Sequence, residues 1–151
     1  MVTSAVDWPI NCIEVPPIWA SSSGKLVITG DAAHAMVPYM ALGAAMAVED
    51  AAAMAATLTH LRSKDDLKTA VSKWVEARKP RVKQIHEASY GHGLILHLPD
   101  GPVQEARDQA LRPEVEGKAV TESPNQWSDP VMSHFAYSHD PVAEIERIWG
   151  E

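Results

Sequence analysis

The sequence predicts an α/β fold of a mostly helical kind with one short sheet, and three observations carry that prediction. The run Lys25 to Thr29 (Lys-Leu-Val-Ile-Thr) is apolar and β-branched, the pattern of a buried strand, and it ends at Gly30-Asp31. The stretch from about Leu42 to Leu61 holds ten alanines and methionines between Ala44 and Ala56, and its only charged residues are Glu49 and Asp50. A helix that is apolar nearly all round is a buried one, and its alanines let a neighbour approach closely. Beyond it, apolar residues recur at helical spacing in further segments.

In chain order, residues 2–19 read as extended, because Pro9, Pro16 and Pro17 bar a long helix. Ile10, Cys12 and Ile13 point to a short strand there, with Cys12 a buried small apolar residue. Ser21 to Gly24 form a turn before the Lys25–Thr29 strand. After the alanine-rich helix, Asp65-Asp66 caps a second one. Its apolar face is Leu67, Ala70, Val71, Trp74 and Val75, with Lys68, Lys73, Glu76 and Arg78 largely off that face. Pro80 is expected to kink or break it, and a further helix from about Arg81 to Tyr90 is expected to stop at Gly91 and Gly93.

Pro99 to Pro102 mark a turn, and a short polar helix to Leu111 stops before Pro113. Residues 113–130 read as a surface loop. Asp140-Pro141 to Trp149 reads as an amphipathic helix that packs back on the body through Val142, Ile145, Ile148 and Trp149. Trp8, Trp19, Trp74, Trp127 and Trp149 are spread along the chain and are expected to be core anchors.

With 151 residues, one domain suffices. The formal net charge of −7 argues against nucleic acid as the main partner, since phosphate binding needs a basic surface. No apolar run approaches the roughly 20 residues needed to span a bilayer, and Met1 is not followed by a signal-peptide pattern. One cysteine forms no internal disulfide, so the expected compartment is the cytoplasm. His86, His92 and His97 fit no compact metal-ligand spacing, and no metal site is expected.

The chemistry concentrates in Gly30-Asp31-Ala32-Ala33-His34, followed by Pro38, Gly43 and then Glu49-Asp50. A buried strand delivers a carboxylate at its carboxyl end, where ligands bind in open α/β sheets. A loop of about a dozen residues leads to a helix N-terminus, whose free N–H groups and dipole favour negative charge. A carboxylate beside such an end suits a ligand with hydroxyls to bond and an electron-rich ring to stabilise. A plain role, with Asp31 capping a turn and the glycines as punctuation, fits the spacing equally well.

The run from Lys25 to Ala51 resembles the second FAD-binding motif of the class A flavoprotein monooxygenases, in the manner of the salicylate-hydroxylase-like enzymes of fungi. The similarity continues through Trp74, Arg78-Lys79-Pro80-Arg81, His97 to Pro102, Arg107-Asp108 and the final Asp140 to Trp149, so it covers nearly the whole chain. The resemblance implies the C-terminal portion of the FAD-binding aromatic-hydroxylase fold, without the N-terminal GxGxxG unit that cradles the pyrophosphate and without the substrate sheet. On this reading, residues 1–112 are a flavin-proximal partial FAD-binding domain, and residues 113–151 are its C-terminal loop and docking helix. Gly30 and Asp31 approach the cofactor, with Asp31 on a ribityl hydroxyl. Pro38 lies beside the isoalloxazine on the substrate side, and Gly43, Ala44 and Ala45 turn their N–H groups toward the pyrimidine edge. The family hydroxylates electron-rich substrates with oxygen, and NAD(P)H is its reductant. One departure stands out: Leu42 occupies the position before the helix-opening glycine where the family usually has Gln.

Two function classes follow. The leading one is part of an FAD- and NAD(P)H-dependent monooxygenase that hydroxylates an aromatic or polyketide-like small molecule, with FAD bound weakly or not at all by this stretch alone. The alternative is a small protein on the same scaffold that lost FAD and binds or converts an aromatic-like ligand, as an isomerase, cyclase or hydrolase. There Asp31 and His34 would be catalytic, His34 as a general base oriented by the Asp31 carboxylate. The more favoured reading of His34 is a ring that fills a polar niche below the helix. Apolar surface left uncovered predicts self-association or a complementary flavoprotein chain as partner.

Overall fold

The computed structural model describes residues 3–151, and the readings placed on Met1 and Val2 lie outside the described residues. Among the described residues, six α-helices make up most of the regular structure: α1 (Asp31–His34), α2 (Gly43–Thr59), α3 (Leu67–Leu96), α4 (Pro102–Val115), α5 (Pro130–Tyr137) and α6 (Pro141–Gly150). Short 3-10 turns sit at Pro38–Met40 and Lys64–Asp66.

The helical content follows the prediction, whereas the sheet does not form among the described residues. Val27 makes one antiparallel bridge to Ala20. The Ser21 N–H donates to the Leu26 carbonyl and the Ile28 N–H to the Trp19 carbonyl, both at 2.9 Å. A two-stranded ribbon needs further strands to bury both faces, and here Leu26 remains 68% exposed. The apolar pattern of a buried strand is present without the neighbours that would bury it. The same correction applies upstream. Ile10, Cys12 and Ile13 lie in irregular chain, and both Trp8 and Cys12 are exposed. That segment is tied down by the Ile13 N–H to Ala35 carbonyl bond (3.0 Å) and by Lys79 Nζ donating to the Pro17 carbonyl (2.7 Å).

The core lies where α2, α3 and α6 meet. Met46, Ala53 and Ala56 of α2 pack with Trp74, Ala77, Val82 and Ile85 of α3 and Ile145 and Ile148 of α6, and Trp19 closes one end. Alanines along the inner face of α2 let α3 come close, and Trp74 uses that proximity to donate from Nε1 to the Asp50 carbonyl at 3.1 Å. Trp127 is half exposed, so of the five tryptophans Trp19 and Trp74 are the fully buried anchors.

α3 is one helix of 30 residues, not two. Pro80 lies on its exposed side, and the carbonyl deprived of a partner belongs to exposed Glu76, where water can bond it. Buried residues on either side of Pro80 belong to one core, which holds the helix through it. Nor do Gly91 and Gly93 end the helix. α4 likewise runs through Pro113 to Val115, in a helix with no buried residue.

The start of α3 is stabilised one turn earlier than expected. Ser63 Oγ accepts from the Asp65 N–H (3.2 Å), and Asp66 Oδ2 accepts from the Ser63 N–H (2.9 Å), a capping box. α5 follows the 113–130 stretch read from sequence as loop; it is capped by Asp129 and begins with Pro130. α6 has the expected Asp140 cap and buries Ile145 and Ile148. Among the described residues, no helix is long and apolar enough to cross a membrane.

Candidate functional site

The site begins where the ribbon ends. Gly30 has φ 59°, ψ −142°, a left-handed conformation that favours glycine, and a methyl group there would meet the Ala47 Cβ at 3.6 Å. The chain then coils into α1, a single turn closed by the Ala33 and His34 N–H groups on the Gly30 carbonyl. This turn places Asp31 in solvent and His34 in the interior. The loop passes through exposed Pro38, turns at Ala41 with φ 53°, and enters α2 at Gly43.

The N-terminus of α2 is open. Leu42 occupies the N-cap and makes no side-chain cap bond. Its side chain is buried among the core residues, which turns it away from the helix end. Gly43 is half-buried and Ala44 and Ala45 are exposed. The N–H groups of a first helical turn have no partner within the helix, and these three carry no side chain that would block an approaching ligand. Asp31, Pro38 and the Gly43–Ala45 amides are thus accessible on the stretch where α1 packs against α2.

Beneath that surface is a buried polar network centred on Asp50. Its Oδ2 accepts from Thr29 Oγ1 (2.7 Å), the Gly30 N–H (3.2 Å) and His34 Nε2 (2.8 Å). Its Oδ1 accepts from Arg78 Nε at 2.8 Å. Burial pushes the Asp50 carboxyl up, but the hydrogen bonds from His34, Arg78, Thr29 and Gly30 outweigh it and hold the group at about 2. Glu49 extends the network, accepting from Arg78 at 2.8 Å and from Arg81 at 3.0 Å. Arg81 also donates to the Phe135 and Ala136 carbonyls at the end of α5.

His34 is 1% exposed and is oriented by Asp50, so the expectation that Asp31 orients it is corrected. The single-turn helix α1 sends the two side chains to opposite sides, one to water and one to the core. Glu49-Asp50 belong to the motif read from the sequence but are given no role there, and Arg78, which pairs with both, is 1% exposed rather than off the buried face. The signal was there: two acids inside an otherwise apolar helix must be paired, and the basic run at Arg78–Arg81 is within the next helix. Among the described residues, no group of three or more His, Cys, Asp or Glu is placed to hold a metal ion.

A family model described as an FAD binding domain matches residues 19–89. The chain is 32% identical over 142 residues to FAD-dependent monooxygenase OpS4 of Beauveria bassiana, which covers 94% of this chain and 33% of that protein. It is 36% identical over 132 residues to FAD-dependent monooxygenase ntnJ of a Nectria species (87% and 29%). It is 42% identical over 90 residues to 3-amino-4-hydroxybenzoate 2-monooxygenase PtmB3 of Streptomyces platensis (60% and 22%). The chain therefore spans a third or less of the length of these curated relatives.

Proposed function

We infer that this chain, which by sequence is part of a class A FAD-dependent monooxygenase, supplies the ring- and ribityl-facing half of an FAD site. The observation that carries the inference is an exposed carboxylate at Asp31 next to the open, alanine-lined N-terminus of α2. The donor set fits a flavin. Asp31 accepts from a ribityl hydroxyl, and Gly30, at positive φ, turns the chain so that Asp31 faces outward. The Gly43, Ala44 and Ala45 N–H groups face the pyrimidine edge, where the helix dipole favours negative charge. Pro38 walls the substrate side. Bound there, the flavin supplies oxygen activation with electrons from NAD(P)H, and the substrate class is an aromatic or polyketide-like small molecule.

The pyrophosphate cradle is not among these 151 residues, so binding by this chain is weak. The apolar outer side of α2, with Val48 69% and Leu58 45% exposed, is the face that a complementary flavoprotein segment or a second copy covers. Cofactor-free catalysis by Asp31 and His34 is the lesser reading, because His34 is buried and already bonded to Asp50.

An amide NMR titration with FAD tests this reading. Shifts concentrated at Asp31, Tyr39–Ala41 and Gly43–Ala45, saturating only at high FAD, are the expected result. No shift there overturns the flavin reading. Stoichiometric FAD retained through gel filtration overturns the claim that half of the site is missing.

A further inference from the structure

The Pro38–Met40 turn is held in place from outside itself. Ser89, on α3 and fully buried, donates from Oγ to the Val37 carbonyl at 2.5 Å and accepts the Met40 N–H at 3.2 Å. Trp127 Nε1 donates to the Tyr39 carbonyl at 2.9 Å. The Tyr39 ring lies in a notch that exists because residue 93 is glycine, since a Cβ there would sit 2.3 Å from the ring. His97 meets the same ring edge-on at 5.2 Å between centroids. The turn's own contribution is one bond, from the Ala41 N–H to the Pro38 carbonyl at 3.0 Å. It also carries Ala41 at φ 53°, a conformation that alanine rarely adopts unaided.

A serine in a helix commonly bonds back to its own helix. Here the hydroxyl leaves α3 and brackets the turn, acting at one atom as both donor and acceptor, which an alanine cannot reproduce. Without it, the half-buried Val37 carbonyl and the buried Met40 N–H, on either side of Pro38, lose their partner.

We propose that Ser89 is the positioning residue of this site: it locks the Pro38–Met40 turn as a rigid wall on the substrate side of the flavin, with Gly93 and Trp127 fixing the same turn from the other sides. The proposal rests on the flavin reading above. It assigns the C-terminal half of α3, from which Ser89 and Gly93 meet the turn, to the control of ring placement.

The test compares the unaltered chain with Ser89→Ala, Ser89→Thr and Trp127→Phe by amide exchange and by the FAD titration. In Ser89→Ala the Met40 amide exchanges roughly tenfold to a hundredfold faster relative to core amides such as Ala53, as loss of a buried partner implies. FAD-induced shifts at Tyr39, Met40 and Ala41 collapse, while those at Asp31 and Gly43–Ala45 persist. Ser89→Thr restores the hydroxyl and the exchange protection. Should Ser89→Ala fail to fold, Trp127→Phe, at a half-exposed residue, weakens the Tyr39–Ala41 responses by itself. The proposal is overturned if Met40 exchange follows the core amides, or if both groups of flavin shifts fall together. Met40 exchange is read without flavin, so an unaltered chain that shows no shifts identifies failure of the flavin reading, and the positioning role falls with it.

Discussion

Replacing Asp50 by Asn tests whether the buried network is held by charge or by shape. The amide is nearly isosteric, so packing around it is preserved. Its single oxygen replaces two that now accept four bonds, from Thr29, Gly30, His34 and Arg78. Its NH2 group must face a donor, either Arg78 Nε or the Thr29–Gly30–His34 group. Breaking a buried ion pair costs about 3–5 kcal/mol. The low end applies, because Arg78 keeps Glu49 at 2.8 Å and the Met46 carbonyl at 3.3 Å. A loss of about 3 kcal/mol at pH 7 corresponds to a fall of about 1–3 M in the urea midpoint.

The pH dependence adds a sign. Asp50 titrates at about 2 in the folded chain against 3.8 when unperturbed, so its contribution is fully present above 3.8 and is lost as pH falls through about 2. At about 1.4 kcal/mol per pKa unit, that contribution is about 2 kcal/mol. Urea unfolding followed by circular dichroism at pH 7, 5 and 2 should therefore show the gap between the two proteins narrowing by about that much on acidification. A gap below about 1 kcal/mol at pH 7, or one that does not change with pH, refutes the claim that charge holds the network.

Two further outcomes follow from the site and the surface. Asp31→Ala removes the exposed acceptor and should weaken FAD binding roughly tenfold or more, read from the same amide titration, with urea stability little changed. Unaltered affinity would move the ribityl contact elsewhere. By analytical ultracentrifugation at micromolar concentration the chain alone should sediment as a dimer or larger species, because covering a side chain such as Val48 or Leu58 is worth roughly 1.5–3 kcal/mol. A compact monomer would count against that outcome.

How far the site could be read in the sequence depends on the range of the interactions involved. Gly30-Asp31 and the helix start at Gly43 were legible because both are local: a glycine is needed at positive φ, and a helix opens where an apolar run begins. The caps at Asp129 and Asp140 follow the same rule, although only the second was read. Arg78 was misplaced because its burial depends on Asp50, 28 residues earlier in the chain. Ser89 carried no signal, since its hydroxyl bonds residues about 50 positions away.

Some features needed no tertiary information. The apolar periodicity, the Asp-Pro starts and the run from Lys25 to Ala51 by themselves determined a mostly helical chain and its likeness to an FAD-binding family, and they carry the proposal of a ligand end at Asp31 to Ala45. Periodicity and capping act over a few residues, so a linear reading captures them. Only the tertiary structure decided that α3 continues unbroken past Pro80, that the strand pattern at Lys25–Thr29 stays a lone bridge, and that His34 answers to Asp50 rather than Asp31. Each of those outcomes is set by which distant surfaces come together: a shared core outweighs the one hydrogen bond a proline removes, a strand without lateral neighbours is not a sheet, and a buried imidazole bonds the carboxylate that is buried with it.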